Sequence, residues 1–179
     1  MHGMPGGVIV HGDTHPEQWL RAKDGRLVLN DFNNGEILEW DHEKHKYCGS
    51  WRQYGGFYRA PEEYPGRHID EGIDTFAFGN NIYCLLTGLW PFYDDKSVYS
   101  VIQKKLLKGE RAFIDPRYRK RSYIESKLVQ VMELTWEHDP KKRVSIFEVV
   151  KFLRSVKQEH LKKVKLAQKP ARRHLGNRR

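Results

Sequence analysis

Val8-Ile9-Val10-His11-Gly12-Asp13-Thr14-His15-Pro16-Glu17-Gln18, continuing through Trp19-Leu20-Arg21-Ala22-Lys23-Asp24-Gly25-Arg26-Leu27-Val28-Leu29 to Asn30-Asp31-Phe32-Asn33, is the stretch on which the fold turns. Val8-Ile9-Val10 is a short apolar run suited to a buried strand. Asp24-Gly25 stands between two half-apolar runs, and that dipeptide signals a hairpin because glycine accepts the positive φ of a tight turn. Folding back there pairs positions whose numbers sum to about 49, which sets Gln18 beside Asp31. Asp13 lies on the loop at the same end. Two carboxylates and an amide oxygen therefore converge, a set that can hold a hard divalent cation such as Mg²⁺ while one carboxylate accepts a proton.

Around this stretch the chain has 179 residues, 39% of them hydrophobic and 12% aromatic, which is enough for a sizeable core and excludes a wholly disordered chain. Mean hydropathy is −0.76, and no run approaches the roughly 18 unbroken apolar residues of a membrane span. The first ten residues lack the basic start and apolar core of a secretory signal. Two cysteines, Cys48 and Cys84, cannot build a disulfide framework, so a reducing, cytoplasmic setting is expected. The net charge of +9 is uneven: residues 157–179 hold nine Lys or Arg against Glu159 alone, leaving residues 1–156 nearly neutral. The expected organisation is a short leader (1–7), a body (8–156) and a basic tail (157–179). The tail reads as a solvated appendage that contacts polyanions or serves as a nuclear address. For residues 157–166 the other reading is a helix extension with a charged outer face.

Further motifs follow in order: Tyr58-Arg59-Ala60-Pro61-Glu62; Ile73-Asp74-Thr75-Phe76-Ala77-Phe78-Gly79 with Leu85-Leu86-Thr87-Gly88 and Pro91-Phe92; and Trp136-Glu137-His138-Asp139-Pro140-Lys141-Lys142-Arg143. Together with His11-Gly12-Asp13…Gln18 and Asp31-Phe32-Asn33, this series resembles the large-lobe motifs of eukaryotic protein kinases, with a tyrosine-kinase-like flavour around Trp136. The resemblance covers about residues 8–156. It implies a mainly α-helical large lobe with small β-hairpins, and no small lobe: the Gly-rich loop, strand Lys and helix Glu have no counterpart. The loop from His11 to Pro16 is also similar to that of aminoglycoside- and choline-type phosphotransferases. Those enzymes lack the Ala-Pro-Glu segment, so Ala60-Pro61-Glu62 with Arg143 favours the protein kinases.

Carried over position by position, the resemblance implies that Asp13 orients a substrate hydroxyl and accepts its proton. His15 stands where serine/threonine kinases carry a Lys against the transferring phosphate. Asp31 would hold Mg²⁺ across the phosphates of ATP, with Gln18, in place of Asn, as second metal ligand. His11 reads as structural rather than as half of a zinc pair with His15. Asp74 would accept hydrogen bonds from catalytic-loop amides, and Glu62 would pair with Arg143. Asp31 to Glu62 would be the activation segment, with Tyr47, Ser50 and Tyr54 as phosphosites. Departures are Gly12 for Arg, Asn33 for Gly and Gly55 for Thr. The implied activity is ATP-dependent transfer to a protein serine or threonine ahead of tyrosine. The alternatives are a non-catalytic pseudokinase interaction module and a small-molecule phosphotransferase. The chain by itself is expected to show no turnover.

The rest reads as helical. Residues 72–87 suit a buried helix around Ile73, Phe76, Phe78, Ile82, Tyr83, Leu85 and Leu86. Val98, Val101, Ile102 and Leu106 are spaced for an amphipathic helix over 96–108. Ser122 with Glu125 opens a helix through Trp136, and Ser145 with Glu148 opens the last one.

Overall fold

Val8 and Val10 face the interior and Ile9 does not, the period of a strand with one buried face. In the computed structural model, which describes residues 1–49, 55–66, 69–93, 95 and 99–168, this strand is β1 (Gly7–Val10). It pairs antiparallel with β4 (Glu36–Asp41), Val8 opposite Leu38 and Val10 opposite Glu36. β5 (Lys46–Tyr47) pairs with the far end of β4, after a turn in which Asp41 Oδ1 accepts the amides of Glu43 (3.0 Å) and Lys44 (2.9 Å). A strand thus lies inside the stretch read from sequence as activation segment. It is held because Leu38, 2% exposed, joins Val8 and Val10 in the core.

β2 (Trp19–Arg21) and β3 (Leu27–Leu29) form the hairpin expected around Asp24-Gly25, in a register one step away. Trp19 faces Leu29 and Arg21 faces Leu27. Ala22 N donates to Arg26 O (2.8 Å) and Gly25 N to Ala22 O (2.9 Å), so the loop is three residues, Lys23-Asp24-Gly25. Gly25 takes the left-handed position (φ 84°) that closes such a loop. Gln18 therefore faces Asn30, whose N–H donates to Gln18 O at 2.9 Å, and Asp31 lies one residue beyond.

Five α-helices are present among the described residues: α1 (Gly72–Thr87), α2 (Tyr99–Leu107), α3 (Tyr118–Arg121), α4 (Tyr123–Thr135) and α5 (Ile146–Ala167). This is the mainly helical large-lobe architecture with small antiparallel strands that the motifs imply. The caps expected for the last two helices form. Ser122 Oγ accepts Glu125 N (3.1 Å); Ser145 Oγ accepts Glu148 N (3.3 Å) while Glu148 Oε2 accepts Ser145 N (2.9 Å). Trp136 is not the last turn of α4 but its C-cap, 5% exposed.

α1 is the central element, packed against α4. At Gly79 a Cβ would lie 2.2 Å from Thr135 Oγ1 and 2.9 Å from Trp136 Nε1, so only glycine lets α1 approach the end of α4 this closely. The helix is buried over most of its circumference, though not by the residues hydropathy selects. Leu85 is 77% exposed and Phe78 half-buried, while Asn80 (3%) and Asn81 (4%) are inside. Both amides have work there. Asn81 Nδ2 donates to Thr14 O (3.1 Å) and Ala77 O (2.8 Å) and its Oδ1 accepts Trp19 Nε1 (3.2 Å), while Asn80 Nδ2 donates to Tyr58 O (3.2 Å). Buried amides with partners lose little relative to water.

In α2, Ile102 and Leu106 face the core, Val101 is 36% exposed, and Val98 lies outside the described residues. α5 runs unbroken past Val156, which is 6% exposed, so residues 157–166 take the helix-extension form. The Tyr123 hydroxyl donates to Glu159, and Lys163 Nζ lies 3.6 Å from the Tyr123 ring centroid. The remainder of the basic tail lies outside the described residues.

Candidate functional site

Asp74, in the first turn of α1, organises the loop that follows β1. Its Oδ2 accepts His11 N (2.7 Å) and its Oδ1 accepts Gly12 N (2.9 Å) and Thr14 Oγ1 (3.3 Å). The carboxylate also lies 3.3 Å from His2 Nε2, a ring buried 72 positions away in sequence. His11 is fully buried. Its Nδ1 accepts Asp13 N (3.2 Å), so Nε2 is the donor, and it reaches Asn30 O at 2.9 Å. The Phe32 ring sits 4.7 Å from the imidazole, tilted by 59°. The loop carrying Asp13 and the segment carrying Asp31 are thereby fixed to one another.

The Asp13 carboxylate is held at both oxygens. Oδ1 accepts Arg59 Nη2 (2.9 Å) and Oδ2 accepts Asn34 Nδ2 (3.1 Å). His15 Nε2 lies 4.0 Å from Oδ2 and 3.2 Å from Gln18 Nε2, and Gln18 is 8% exposed. The His15 contact gives the Gln18 amide nitrogen a partner. Asp31 adopts a left-handed backbone (φ 61°, ψ 72°) with its side chain exposed. The structure thus brings Asp13, His15 and Gln18 side chains together and sets Asp31 on the adjoining segment. No hydrogen bond joins the Asp31 carboxylate to Asp13 or Gln18 among the described residues.

Asp13 and His15 open onto a cleft of about 490 Å³, walled also by Pro16, Glu17, Tyr58, Cys84 and Trp90. The Tyr58 hydroxyl is 3.2 Å from Cys84 Sγ, and burial pushes the proton affinity of both groups up. Below the cleft, Glu63 is 2% exposed; its Oε2 accepts Ala60 N (2.7 Å) and its Oε1 lies 3.5 Å from Arg59 Nη1. Burial pushes the Glu63 acid up to about 8, more than the Arg59 charge draws it down.

Glu62 and Arg143, 81 positions apart, meet end-on in a bidentate pair: Nη1 to Oε1 is 2.6 Å and Nη2 to Oε2 is 3.0 Å. Arg143 also donates to Gly72 O (2.9 Å) and Glu137 O (3.0 Å). Of the three phosphosite candidates, Tyr47 is half-buried, its hydroxyl directed at Glu71 Oε1 (3.5 Å) and its ring 5.0 Å from that of Trp40. Burial, with the Glu71 charge, pushes its hydroxyl up. Ser50 and Tyr54 lie outside the described residues.

The series of motifs, their order and their convergence on one loop match an established pattern. The family model of the protein kinase domain fits residues 1–153. The chain belongs to the protein kinase family. Among its relatives is a probable serine/threonine-protein kinase of Dictyostelium discoideum, 32% identical over 142 residues, covering 79% of this chain and 15% of that protein. The RAC family serine/threonine-protein kinase homolog of the same organism is 29% identical over 160 residues, 86% of this chain and 32% of the relative. Human calcium/calmodulin-dependent protein kinase type IV is 31% identical over 145 residues, 79% and 29% respectively. The chain therefore matches a third or less of the length of each of these kinases.

Within this kinase domain, sequence reading missed His2, Asn34 and Arg59. Nothing local marks His2 or Asn34, because their partners Asp74 and Asp13 are distant in sequence. Arg59 carried a usable signal, a cation set between Tyr58 and Ala60-Pro61 in an anchor that is otherwise buried.

Proposed function

We propose that this domain takes part in ATP-dependent phosphoryl transfer to serine or threonine hydroxyls of a protein. The observation that carries the reading is the Asp13 carboxylate, fixed at both oxygens on the rim of an open cleft. Such a group can accept a hydrogen bond from an incoming hydroxyl, orient it and take its proton as the new P–O bond forms. The Ala60-Pro61-Glu62 anchor beside the cleft supports a protein substrate over a small molecule, and the serine/threonine kinases among the relatives support hydroxyls of that class.

The donor set fits a magnesium nucleotide. Mg²⁺ takes oxygen ligands, usually one or two from protein with phosphate and water supplying the rest. The Asp31 carboxylate and the Gln18 carbonyl oxygen are of that kind, on segments tied by the Asn30–Gln18 backbone bond (2.9 Å). Asp31 and Gln18 would hold Mg²⁺ on a nucleotide bound there, which would supply the phosphoryl group while the metal offset part of the phosphate charge. His15, next to Asp13, can donate a hydrogen bond to a phosphate oxygen.

The test is MgATP binding and transfer to serine-containing peptides by the full-length protein. Asp13→Asn is expected to keep nucleotide binding and lose turnover, because it retains shape and removes the proton acceptor. Asp31→Ala is expected to lose Mg²⁺-dependent binding. A full-length protein that binds no nucleotide, with or without Mg²⁺, would overturn the proposal and favour an interaction module.

A further inference from the structure

Arg59 is 9% exposed, and its guanidinium contacts both the catalytic loop and the anchor behind it. Nη1 donates to the carbonyl of Gly12, Nη2 to Asp13 Oδ1 at 2.9 Å, and Nε to Gly55 O at 3.3 Å. Glu63 Oε1 stands 3.5 Å from Nη1 on the protein side. The planar fork is therefore held by the carbonyls of Gly12 and Gly55, with Glu63 beneath it, and presents Nη2 to Asp13. Gly12 takes a left-handed backbone (φ 69°) that glycine accepts, and no cation is supplied from position 12 itself. Gly55 likewise offers no hydroxyl to the carboxylate. Among the described residues, Arg59 and Asn34 are the two side chains that hold Asp13 by hydrogen bonds.

We infer that Arg59 is the positioning residue for Asp13, reaching from the Tyr58–Glu62 anchor to fix the carboxylate plane so that one lone pair faces the cleft. A rigid guanidinium suits this, because its donors lie in one plane and match a carboxylate edge, whereas an ammonium sets only a distance. The arrangement makes the anchor and the proton acceptor one unit: displacing the Tyr58–Glu62 segment moves the fork, and the fork moves Asp13. The inference rests on the phosphotransfer reading for its consequence and on the contact geometry for its cause.

The experiment measures kcat, KM for peptide and Kd for MgATP in the full-length protein. Arg59→Met is expected to lower kcat at least tenfold while leaving Kd for MgATP within twofold. Arg59→Lys, which keeps the charge without the fork, is expected to fall between wild type and Arg59→Met, and it serves alone if the Met variant does not fold. On the residual rate of Asp13→Asn, adding Arg59→Met is expected to cost nothing further, because the group it orients is already gone. Wild-type kcat in a folded Arg59→Met protein, or full additivity of the two changes, overturns the inference. Wild-type protein that transfers no phosphate defeats the functional reading instead. The contact is then read from Arg59 side-chain NMR: resolved Nη protons in wild type that average in Asp13→Asn support it, and averaging in both refutes it.

Discussion

Breaking the Glu62–Arg143 pair from either side is expected to cost more than any surface charge change in the molecule, and the two sides are expected to be unequal. The side chains are 6% and 1% exposed, and both carboxylate oxygens are engaged by Arg143, at 2.6 and 3.0 Å. One-sided removal of a partner from such a buried pair costs about 3–5 kcal/mol, against about 0–1 kcal/mol for an exposed pair. The asymmetry comes from Arg111. Its guanidinium and that of Arg143 each lie 5.1 Å from the Phe76 ring centroid, on one shared aromatic ring. Burial, and then the Arg143 charge, push Arg111 down to about 10, while Glu62 pulls the other way. Glu62→Ala therefore leaves the buried Arg143 without its carboxylate and the half-buried Arg111 with less counter-charge, whereas Arg143→Met leaves Glu62 with Arg111 still nearby. Glu62→Ala should fall at the upper end of the range and Arg143→Met at the lower end.

At about 2–4 °C per kcal/mol for a chain of this size, the expected loss in melting temperature is about 6–20 °C. Urea unfolding at two ionic strengths supplies the free energies, and the pair should be insensitive to salt because water and ions do not reach it. The double variant should cost clearly less than the sum of the singles. Single losses below about 1 kcal/mol that add simply, or an Arg143→Met protein less stable than Glu62→Ala, would refute this account of the pair.

Three further outcomes follow from the packing. Gly79→Ala forces a methyl against Thr135 Oγ1 and Trp136, so it should destabilise by about 1–3 kcal/mol in thermal unfolding, and a neutral result would mean α1 and α4 separate freely. Asp74→Ala strips the acceptor from the buried amides of His11 and Gly12, at about 1–3 kcal/mol each, and amide exchange at those two positions should accelerate well beyond that of the α4 core. Glu63 holds its proton in the folded state up to about 8 against an ordinary value of 4.5, so between those limits the folded chain binds more protons than the unfolded one and loses stability as pH rises. Glu63→Gln should flatten that decline, and parallel stability curves for the two proteins from pH 5 to pH 9 would count against it.

What the sequence makes legible here is what is decided within a few residues. Ser122 with Glu125 and Ser145 with Glu148 announce helix starts because each cap closes over three positions. The motifs from His11 to Arg143 are legible because each is a short run that resembles its counterpart in the protein kinases. Legibility ends where a partner arrives from elsewhere. Leu85 counts as core by hydropathy and is 77% exposed, while Asn80 and Asn81 count as surface and are buried, because the carbonyls of Tyr58 and Thr14 are waiting for them. β4 was hidden because Ile37 is 66% exposed and its neighbour Leu38 buried, so two adjacent apolar residues blur the alternation that would mark a strand.

The hairpin shows how a small local choice changes the site. Asp24-Gly25 fits a two-residue turn, yet Ala22 pairs with Arg26 and the loop takes three residues, moving the register by one. One step in a strand exchanges its faces. With Asn30 rather than Asp31 opposite Gln18, the carbonyl of Asn30 is the group that meets His11 Nε2 at 2.9 Å, and Asp31 is carried past the hairpin onto the turn leading to Phe32. There its backbone is left-handed and its carboxylate is exposed, while Phe32 packs on His11 and Asn34 reaches back to Asp13. The shifted register separates the two acids by environment: Asp13 is clamped by Arg59 and Asn34, and Asp31 is exposed. In the register first expected Asp31 would have stood opposite Gln18 at the end of the hairpin, whereas the observed pairing leaves it on the turn beyond.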